Sequence, residues 1–458
     1  MTGYGGNALP DADQKRGVEL RKNGAVSAGA GSGKTTVLVA RYLDLVLRDG
    51  ADVRDILVLT FTRKAAAEMY GRIHRELLAS DEPRAGEQAA RFSEAQISTL
   101  DAFCSLVLRP EAQEYGYPPD FRVDDAECLR IAEVQALSFL LERREDPALR
   151  EIFARLGFVR AWKALFADTA ARLWTPAAAP DIPAMLARQA LAVRETVQAQ
   201  ADVVRQASRM AQDAAAGTSL KPGGKASAVL LALAGLPEGD LEPSEAAAAL
   251  ESVAELNFQG FGRTEFETRI KEAAARAREA ARLILKASEA KRLAPLTGAV
   301  LGLLSELGER VRNAKRRARV MSFRDVATTA VNLLDCSCEI RSAWKRRFRY
   351  LMIDEFQDND ELQKKLLYLL AERMDRQEPG IPAAADLEPD KLFFVGDEKQ
   401  SIYRFRGADV AVFRGLVEDF GDGPALRTNY RSEPGLVAFF NRLFERILAG
   451  AERPWEAR

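Results

Sequence analysis

The sequence AGAGSGKT at residues 28–35 is the most informative stretch of this chain, because it closes a short apolar run and opens a helical pattern. Its glycines let the backbone turn successive N–H groups toward a phosphate, and the Lys34 ammonium adds positive charge at the β- and γ-phosphates. The Thr35 hydroxyl is the Mg²⁺ ligand in such a loop. The pattern usually begins with glycine, where this chain has the small residue Ala28. The stretch therefore predicts a binding loop for a nucleotide triphosphate.

The predicted nucleotide contacts cover the whole loop and the first residue after it: Ala28, Gly29, Ala30, Gly31, Ser32, Gly33, Lys34, Thr35 and Thr36.

Five strand-like runs along the chain predict an α/β fold. Strand-like apolar runs occur at residues 24–28, 56–62, 96–100, 350–354 and 392–397, and helical patterns follow several of them. This alternation favours a parallel sheet, whose ligands gather at the carboxyl ends of the strands. Each run is followed at once by a polar segment, so the chemistry is expected at that edge.

Residues 108–320 interrupt this alternation with sequence rich in Ala, Leu, Arg and Glu at helical spacing, as at residues 273–287. The pattern predicts a large inserted helical domain. Alanine-rich blocks are also compatible with low-complexity sequence, and this alternative stays open for part of residues 200–260.

The composition limits the classes of protein to which this chain can belong. The 458 residues are 47% hydrophobic, enough for two or three domains, and 66 basic residues balance 67 acidic ones. A net charge of −1 excludes a global positive field, so any nucleic-acid surface must be local. No run approaches the roughly 18 apolar residues of a membrane span, and no targeting segment opens the chain. We expect a cytoplasmic protein with no membrane partner.

Cysteine and histidine usage narrows the chemistry further. The 4 cysteines are too few and too scattered for a disulfide framework, and Cys336 and Cys338 lack the spacing of common zinc sites. His74 is the single histidine, which excludes histidine-dependent triads and most histidine-rich metal centres. The chemistry must therefore use carboxylates, amides, lysine and arginine.

The run LMIDEFQD at residues 351–358 is an apolar strand that ends in paired acids. Asp354 is placed to hold Mg²⁺, and Glu355 to take the proton of an attacking water molecule. The alternative is a strand that ends in a solvated acidic turn. The phosphate loop elsewhere in the chain favours the catalytic interpretation.

Residues 393–409 again deliver polar groups from the end of a strand. Gln400 is placed to sense the γ-phosphate. The rings of Tyr403 and Phe405, interleaved with arginines that include Arg406, predict a platform for stacking bases and binding phosphates of a single strand. Taken alone, the same mixture is also typical of core and surface residues.

Two weaker segments complete the candidate site. Thr60, Phe61 and Thr62 lie where a strand passes into a helix, and they offer hydroxyls and a stacking face to a nucleic acid. Near the end of the chain, Tyr430 offers an aromatic cover for a base, and Arg431 a cation for the γ-phosphate.

Together these segments resemble the motifs of superfamily 1 DNA helicases of the UvrD/Rep type, and within them the RecB/AddA branch. The blocks occur in the order AGAGSGKT (28–35), TFTRKAAAEM (60–69), ISTLDAF (97–103), MIDEFQD (352–358), VGDEKQSIYRFRGAD (395–409) and LRTNYRS (426–432). Phe405 at a position where UvrD- and Rep-like proteins commonly have Trp, and SFRDV at residues 322–326, favour the RecB/AddA branch.

The resemblance implies a role for each matching residue. Gln14 would read adenine and Tyr430 would stack on it. The ATP and Mg²⁺ roles would fall to Lys34, Thr35, Asp354, Glu355, Gln400 and Arg431. The single-stranded DNA track would include Phe61, Tyr403, Phe405 and Arg406.

The resemblance also implies an architecture, a RecA-like P-loop NTPase sheet with a large inserted α-helical domain. Domain 1A would comprise residues 1–107 and 321–425, domain 1B residues 108–320, and domain 2A would begin at residues 426–458. Motifs V and VI would then lie beyond the last residue, which makes the chain an expected amino-terminal fragment. Asp101 stands where the family usually has His.

The implied function is an ATP-dependent 3′–5′ DNA helicase or single-stranded DNA translocase of repair and recombination, using ATP and Mg²⁺. Its partners would be single-stranded and duplex-end DNA and an AddB/RecC-like protein. The alternative is a non-hydrolysing, ATP-dependent DNA-binding or regulatory subunit. Kinases and small GTPases that carry a P-loop are disfavoured, because neither class explains residues 426–432.

Basic clusters at residues 315–319 and 345–349 have two interpretations. They contact the DNA backbone, or they are solvated helix faces, which is the commoner case.

Overall fold

The computed structural model describes residues 11–172, 181–216, 225–234, 243–257, 265–404, 407–421 and 423–449. The chain divides into two compact units. The first, which we call the sheet unit, is Met1–Cys128 with Lys315–Arg458, and the second, the helical unit, is Leu129–Ala314. Within the described ranges, every helix is too short or too polar to cross a lipid bilayer.

Eight strands are described, and all their pairings are parallel. They are β1 (Gly24–Ala28), β2 (Ile56–Thr60), β3 (Gln96–Thr99), β4 (Arg122–Val123), β5 (Val320–Met321), β6 (Tyr350–Ile353), β7 (Leu392–Gly396) and β8 (Ala425–Leu426). Six of them form one sheet in the order β3-β2-β6-β7-β1-β8, and β4 pairs with β5. The predicted parallel α/β sheet is confirmed.

The helices run along the chain in the following order. They are α1 (Ala12–Val18), α2 (Lys34–Leu47), α3 (Arg63–Ala79), α4 (Pro83–Ala90), α5 (Leu100–Leu108), α6 (Asp125–Glu142), α7 (Pro147–Leu156), α8 (Phe158–Arg160), α9 (Asp168–Arg172), α10 (Ile182–Ala216), α11 (Lys225–Ala234), α12 (Pro243–Ala254), α13 (Glu265–Ala318), α14 (Phe323–Cys336), α15 (Cys338–Arg347), α16 (Glu361–Ala371), α17 (Val410–Phe420) and α18 (Pro434–Leu448). A π-helical segment, Ala161–Ala167, joins α8 to α9.

The sheet is buried on both faces, which explains the near-continuous apolar runs of its strands. In β2, Leu57 and Leu59 enter one core, with side chains from α5, α14, α16 and α17. Ile56 and Val58 point the other way, into a core formed with α2, α3 and α4. This alternation follows from the two-residue period of a strand.

The helical unit has cores of its own. One joins α10, α11, α12 and the first half of α13 around small and aliphatic side chains such as Val204 and Ile284. The other joins α6, α7, the π-helical segment and the second half of α13 around Phe139 and Phe166. The described part of this unit contains helices and no strand, whereas the longer predicted range, residues 108–320, also includes β4 and the first residue of β5.

Two strands end earlier than the apolar pattern predicts, because helix caps begin there. The Thr62 hydroxyl accepts a hydrogen bond from the Ala65 backbone N–H and caps α3, so β2 stops at Thr60. Thr99 caps α5 in the same way, which makes Leu100 the first residue of a helix. Side-chain caps of this kind satisfy N–H groups that a helix leaves unpaired.

The units have different limits from the predicted domains. Residues 109–128 belong to the sheet unit, because Ala112, Tyr117 and Phe121 pack into its core beside Phe103. At the other end, the predicted boundary between residues 425 and 426 falls inside β8, which pairs with β1. The sequence pattern does not predict β8, since a two-residue strand has no detectable period.

Candidate nucleotide-binding site

The glycines of the loop occupy conformations that other residues rarely adopt. Gly31 and Gly33 have φ values of 73° and 86°, in the left-handed region. A Cβ atom on Gly31 would lie 2.7 Å from the Asn429 Oδ1 atom, and one on Gly33 would lie 2.6 Å from the Gln14 Nε2 atom. A side chain on Gly31 would therefore displace the turn that contains Asn429 and Arg431, and one on Gly33 would displace the Gln14 amide.

The remaining loop residues lie between the end of β1 and the start of α2. Ala28 is buried at the last position of β1. The Ser32 hydroxyl donates to the Gly29 carbonyl at 2.7 Å. Ala30 is exposed, and Lys34, Thr35 and Thr36 are half-buried in the first turn of α2. The free N–H groups of a helix start suit an anion at this position.

The structure brings the loop and the acidic pair together. The Lys34 Nζ atom lies 2.8 Å from the Glu355 Oε2 atom, although the two residues are 321 positions apart. Thr35 follows Lys34 on α2, and Asp354 follows the last residue of β6, so both predicted Mg²⁺ ligands belong to the segments that meet here. Parallel strands end at one edge of the sheet, which is why distant segments converge.

Asp354 is buried, and its Oδ1 atom accepts the Glu355 backbone N–H at 3.0 Å. Burial, and then the neighbouring Glu355 carboxylate, raise the pKa of Asp354 to about 7. The same two causes raise the pKa of Asp358 to about 6. A cation bound at this edge would favour the ionised forms.

The donor set fits Mg²⁺ held together with phosphates. Within the described residues, no group of three or more His, Cys, Asp or Glu side chains could hold a metal ion. Mg²⁺ commonly takes one or two carboxylates and completes its coordination with substrate phosphates and water. Asp354 with the Thr35 hydroxyl matches that pattern, because both supply oxygen ligands.

Gln400 lies beside Lys34, and its role as a γ-phosphate sensor stays a prediction. Its Oε1 atom accepts from the Lys34 Nζ atom at 3.3 Å, and its Nε2 atom donates to the Asp397 Oδ2 atom at 2.6 Å. A second glutamine, Gln357, was not among the predicted site residues. Its Nε2 atom donates to the Glu355 Oε2 atom at 2.8 Å. Gln357 and Asp397 follow the ends of β6 and β7. The sequence pattern predicts site residues at the carboxyl ends of the strands, so this position was the signal for both.

The predicted adenine contacts flank the loop. Gln14 is buried, and its Nε2 atom donates to the Ser32 carbonyl at 3.1 Å. The Tyr430 backbone N–H donates to the Gly31 carbonyl at 2.8 Å, and its exposed phenol donates to the Asp11 carboxylate. Sequence reasoning missed Asp11. The signal was its position three residues before Gln14, the spacing of a capping box.

Arg431 lies in a turn that packs on the loop. The Asn429 Oδ1 atom accepts the backbone N–H groups of Arg431 and Ser432 at 2.8 and 3.0 Å. This turn is exposed, and the Cβ atom of Arg431 would be 2.7 Å from a side chain on Gly31. The contact of Arg431 with the γ-phosphate stays a prediction.

The predicted DNA residues are only partly grouped. The rings of Phe61 and Tyr403 lie 4.9 Å apart between centroids, at 35° to each other. The Thr60 hydroxyl is buried and donates to the Thr62 carbonyl at 3.1 Å, while the Thr62 hydroxyl caps α3. Phe405 and Arg406 lie outside the described residues. Their place on a DNA track stays a prediction.

Neither interpretation of the basic clusters holds for their lysines. Lys315 is buried, with its Nζ atom 2.8 Å from the Asp325 Oδ2 atom. Lys345 is buried as well, 2.9 Å from the Glu372 Oε2 atom. The long side chain of a lysine can reach a buried carboxylate elsewhere in the fold. Counting charges along the sequence does not show such a partner. Both residues belong to internal ion pairs rather than to a solvated or DNA-binding face.

Comparison with known proteins agrees with this geometry. An ATP-dependent helicase/nuclease subunit of Streptococcus equi subsp. zooepidemicus (strain MGCS10565) is 28% identical over 484 residues, covering 93% of this chain and 38% of that protein. Its namesake in Alkaliphilus oremlandii (strain OhILAs) is 26% identical over 494 residues, covering 95% of this chain and 39% of its own length. The chain thus spans less than two-fifths of these relatives.

Residues 11–421 match the family described as UvrD/REP helicase N-terminal domain, a match that includes both halves of the nucleotide-binding edge. Since it covers most of the sequence, the chain belongs to the UvrD/REP helicase N-terminal domain family.

Proposed function

We propose that the chain is the ATP-binding motor portion of a DNA helicase that moves 3′–5′ along single-stranded DNA in repair and recombination. The contact between the Lys34 ammonium and the Glu355 carboxylate carries the proposal, because it joins a phosphate loop to a general base. The names of the relatives support an ATP-dependent helicase, and this chain corresponds to 38% or 39% of their length. The whole ATPase cycle is therefore proposed for a protein as long as these relatives.

Each group at the edge has a defined task in this proposal. Mg²⁺, when bound, would neutralise phosphate charge, with Thr35 and Asp354 as its protein ligands. Lys34 would hold the β- and γ-phosphates, and Glu355 would accept a proton from water. Gln400 lies within reach of the same lysine and would respond to the γ-phosphate.

Nucleotide and DNA binding involve further groups. Gln14 and Tyr430, on either side of the loop, would bind adenine, and Arg431 would contact the γ-phosphate. The paired rings of Phe61 and Tyr403 would stack with bases, together with Phe405 and Arg406. The proposed partners are single-stranded DNA, duplex ends and a second protein of the AddB/RecC type.

Nucleotide binding is tested by titrating the chain with a fluorescent ATP analogue in Mg²⁺. Lys34→Ala should weaken binding by about tenfold or more, since a charge-assisted contact with the phosphates is lost. Glu355→Gln should keep binding but lower DNA-stimulated turnover by about 10²-fold or more. Lys286→Ala, an exposed lysine of the helical unit, is the control and should change neither.

Turnover is measured with this chain and with a protein extended to the length of its relatives. Absence of Mg²⁺-dependent nucleotide binding would overturn the proposal. Binding without turnover in either protein would favour the non-hydrolysing regulatory function. Unchanged turnover in Glu355→Gln would remove that residue from the role of base.

A further inference from the structure

Five residues at the nucleotide-binding edge form a closed ring of hydrogen bonds, in which Asp397 takes part through both its carboxylate and its backbone N–H. Lys34 donates to Glu355 at 2.8 Å and to the Gln400 Oε1 atom at 3.3 Å. Gln400 donates to the Asp397 carboxylate at 2.6 Å, and the Asp397 backbone N–H donates to the Gln357 Oε1 atom at 2.9 Å. The Gln357 Nε2 atom closes the ring on Glu355 at 2.8 Å. Glu355 and Gln400 are therefore linked on two sides, through Lys34 and through Gln357.

Gln357 is the member of this ring that bridges β6 and β7. It lies in the 3₁₀ turn Phe356–Asp358, which follows β6, and it is fully buried. The close approach to β7 depends on Gly396, where a Cβ atom would lie 2.7 Å from the Gln357 Oε1 atom. The amide donates at one end and accepts at the other, which a side chain such as leucine cannot do.

Gln357 also holds the segment that leads to the aromatic pair. Its backbone carbonyl accepts the Ser401 hydroxyl at 3.0 Å, so this one residue anchors both Asp397 and Ser401. Two residues beyond Ser401, the Tyr403 ring packs on Phe61. The segment between the two anchors includes Gln400. A shift of this segment would therefore move Gln400 and Tyr403 together.

We propose that Gln357 is a positioning residue that couples nucleotide binding to single-stranded DNA binding. This inference rests on the proposed function, which supplies the nucleotide and the DNA. Phosphate oxygens that compete for Lys34 would leave Glu355 held chiefly by Gln357. The change at Glu355 would then pass through the Gln357 amide to Asp397 and Ser401, and so to Tyr403. Gln357 touches neither ligand in this scheme and acts through its neighbours.

The coupling is measured as the ratio of two dissociation constants for a fluorescein-labelled oligothymidylate, without and with a non-hydrolysable ATP analogue and Mg²⁺. In the unsubstituted chain we expect these two dissociation constants to differ by about fivefold or more. Gln357→Leu should bring the ratio to within about twofold of one, while nucleotide affinity changes by less than about threefold. Gln113→Leu, an exposed glutamine of the same unit, should keep the original ratio.

A second variant separates positioning from a loss of structure. Gln357→Glu keeps the acceptor for the Asp397 N–H but puts a carboxylate beside Glu355. At pH 8 the two carboxylates repel each other, so the coupling between nucleotide binding and DNA binding should be weak. When protonated, that side chain has one donor and one acceptor, as the amide has. Relative to the unsubstituted chain at the same pH, its coupling should recover as the pH falls toward 6. A purely structural defect would not recover.

The outcomes are distinguishable. If Gln357→Leu keeps the original ratio, or if Gln357→Glu shows no recovery on acidification, the inference is wrong. If the unsubstituted chain binds nucleotide but its ratio is one, the inference fails and the proposed function stands. If the chain binds no nucleotide, both fail.

Discussion

Asp354 shows how the proposed Mg²⁺-binding role would conflict with stability at one residue. Its carboxylate lies at the end of β6, removed from water, with Glu355 next to it in the chain. Burial and that neighbouring charge hold its pKa near 7, so the ionised form is unfavourable without a cation. A buried acid of this kind is a good metal ligand because ligation relieves the cost.

The pH dependence of stability follows from the sign of this shift. The pKa of Asp354 is raised from 3.8 to about 7, so proton binding stabilises the folded state. This contribution is complete below about pH 4 and is lost as the pH rises through 7. In urea unfolding with EDTA, Asp354→Asn should raise the free energy of unfolding by about 1–3 kcal/mol at pH 8, and by much less at pH 5.

The exposed Asp81→Asn serves as the control and should have little effect at either pH. Equal effects of Asp354→Asn at pH 5 and pH 8 would contradict the raised pKa. Mg²⁺ with nucleotide should stabilise the unsubstituted chain more than the variant, because a charged carboxylate attracts the cation more strongly than a neutral amide does.

Helix α1 links secondary structure to the proposed recognition of adenine. The Asp11 carboxylate accepts the Gln14 backbone N–H at 2.7 Å and so begins the helix, and it also accepts the phenol of Tyr430. One carboxylate thus orients both predicted adenine contacts. Because this cap also bonds to a second segment, its loss should affect the position of that segment as well as the stability of the helix.

Asp11→Ala should therefore weaken binding of a fluorescent ATP analogue by about two- to thirtyfold, the equivalent of a lost cap of 0.5–2 kcal/mol. The matched control is Asp146→Ala, which removes the cap of α7 in the helical unit, where Asp146 accepts from the Ala148 N–H at 2.8 Å. The control should lose stability without losing nucleotide affinity. Equal nucleotide affinities for Asp11→Ala and the unsubstituted chain would show that this cap does not support the site.

The two units have separate cores, and the sheet unit also encloses a buried charge cluster. Glu372 is fully buried, and its Oε2 atom lies 2.9 Å from both the Arg341 Nε atom and the Lys345 Nζ atom. The Lys345 ammonium donates to two backbone carbonyls as well, those of Arg373 and Arg376. Such a cluster joins α15 to the end of α16, and removing one member leaves buried charge without compensation.

Glu372→Ala should consequently destabilise the sheet unit by about 3–5 kcal/mol. Hydrogen-exchange mass spectrometry can follow peptides of each unit separately, and faster exchange is expected in the sheet strands. Glu306→Ala is the control, since Glu306 forms exposed pairs in the helical unit worth less than about 1 kcal/mol. Uniform acceleration in both units by Glu372→Ala would argue against separate cores.

Four of the five predicted strands extend one or two residues beyond the observed ones, and the fifth, residues 24–28, coincides with β1. Apolar runs such as residues 350–354 were sufficient to locate these strands, because a strand buried on both faces has a strong local pattern. β8 was missed because it has only two residues. The burial of Lys315 and Lys345 was missed for another reason, since their partners belong to other elements.

The phosphate loop, the strands that end in acids and the helical character of the insertion are evident from the amino-acid order, because they depend on residues close together in the chain. The contact of Lys34 with Glu355, and the link from Gln357 to Asp397, are evident only in the folded chain. Such contacts depend on which strands are neighbours in the sheet. The order β3-β2-β6-β7-β1-β8 sets them, and no local pattern specifies that order.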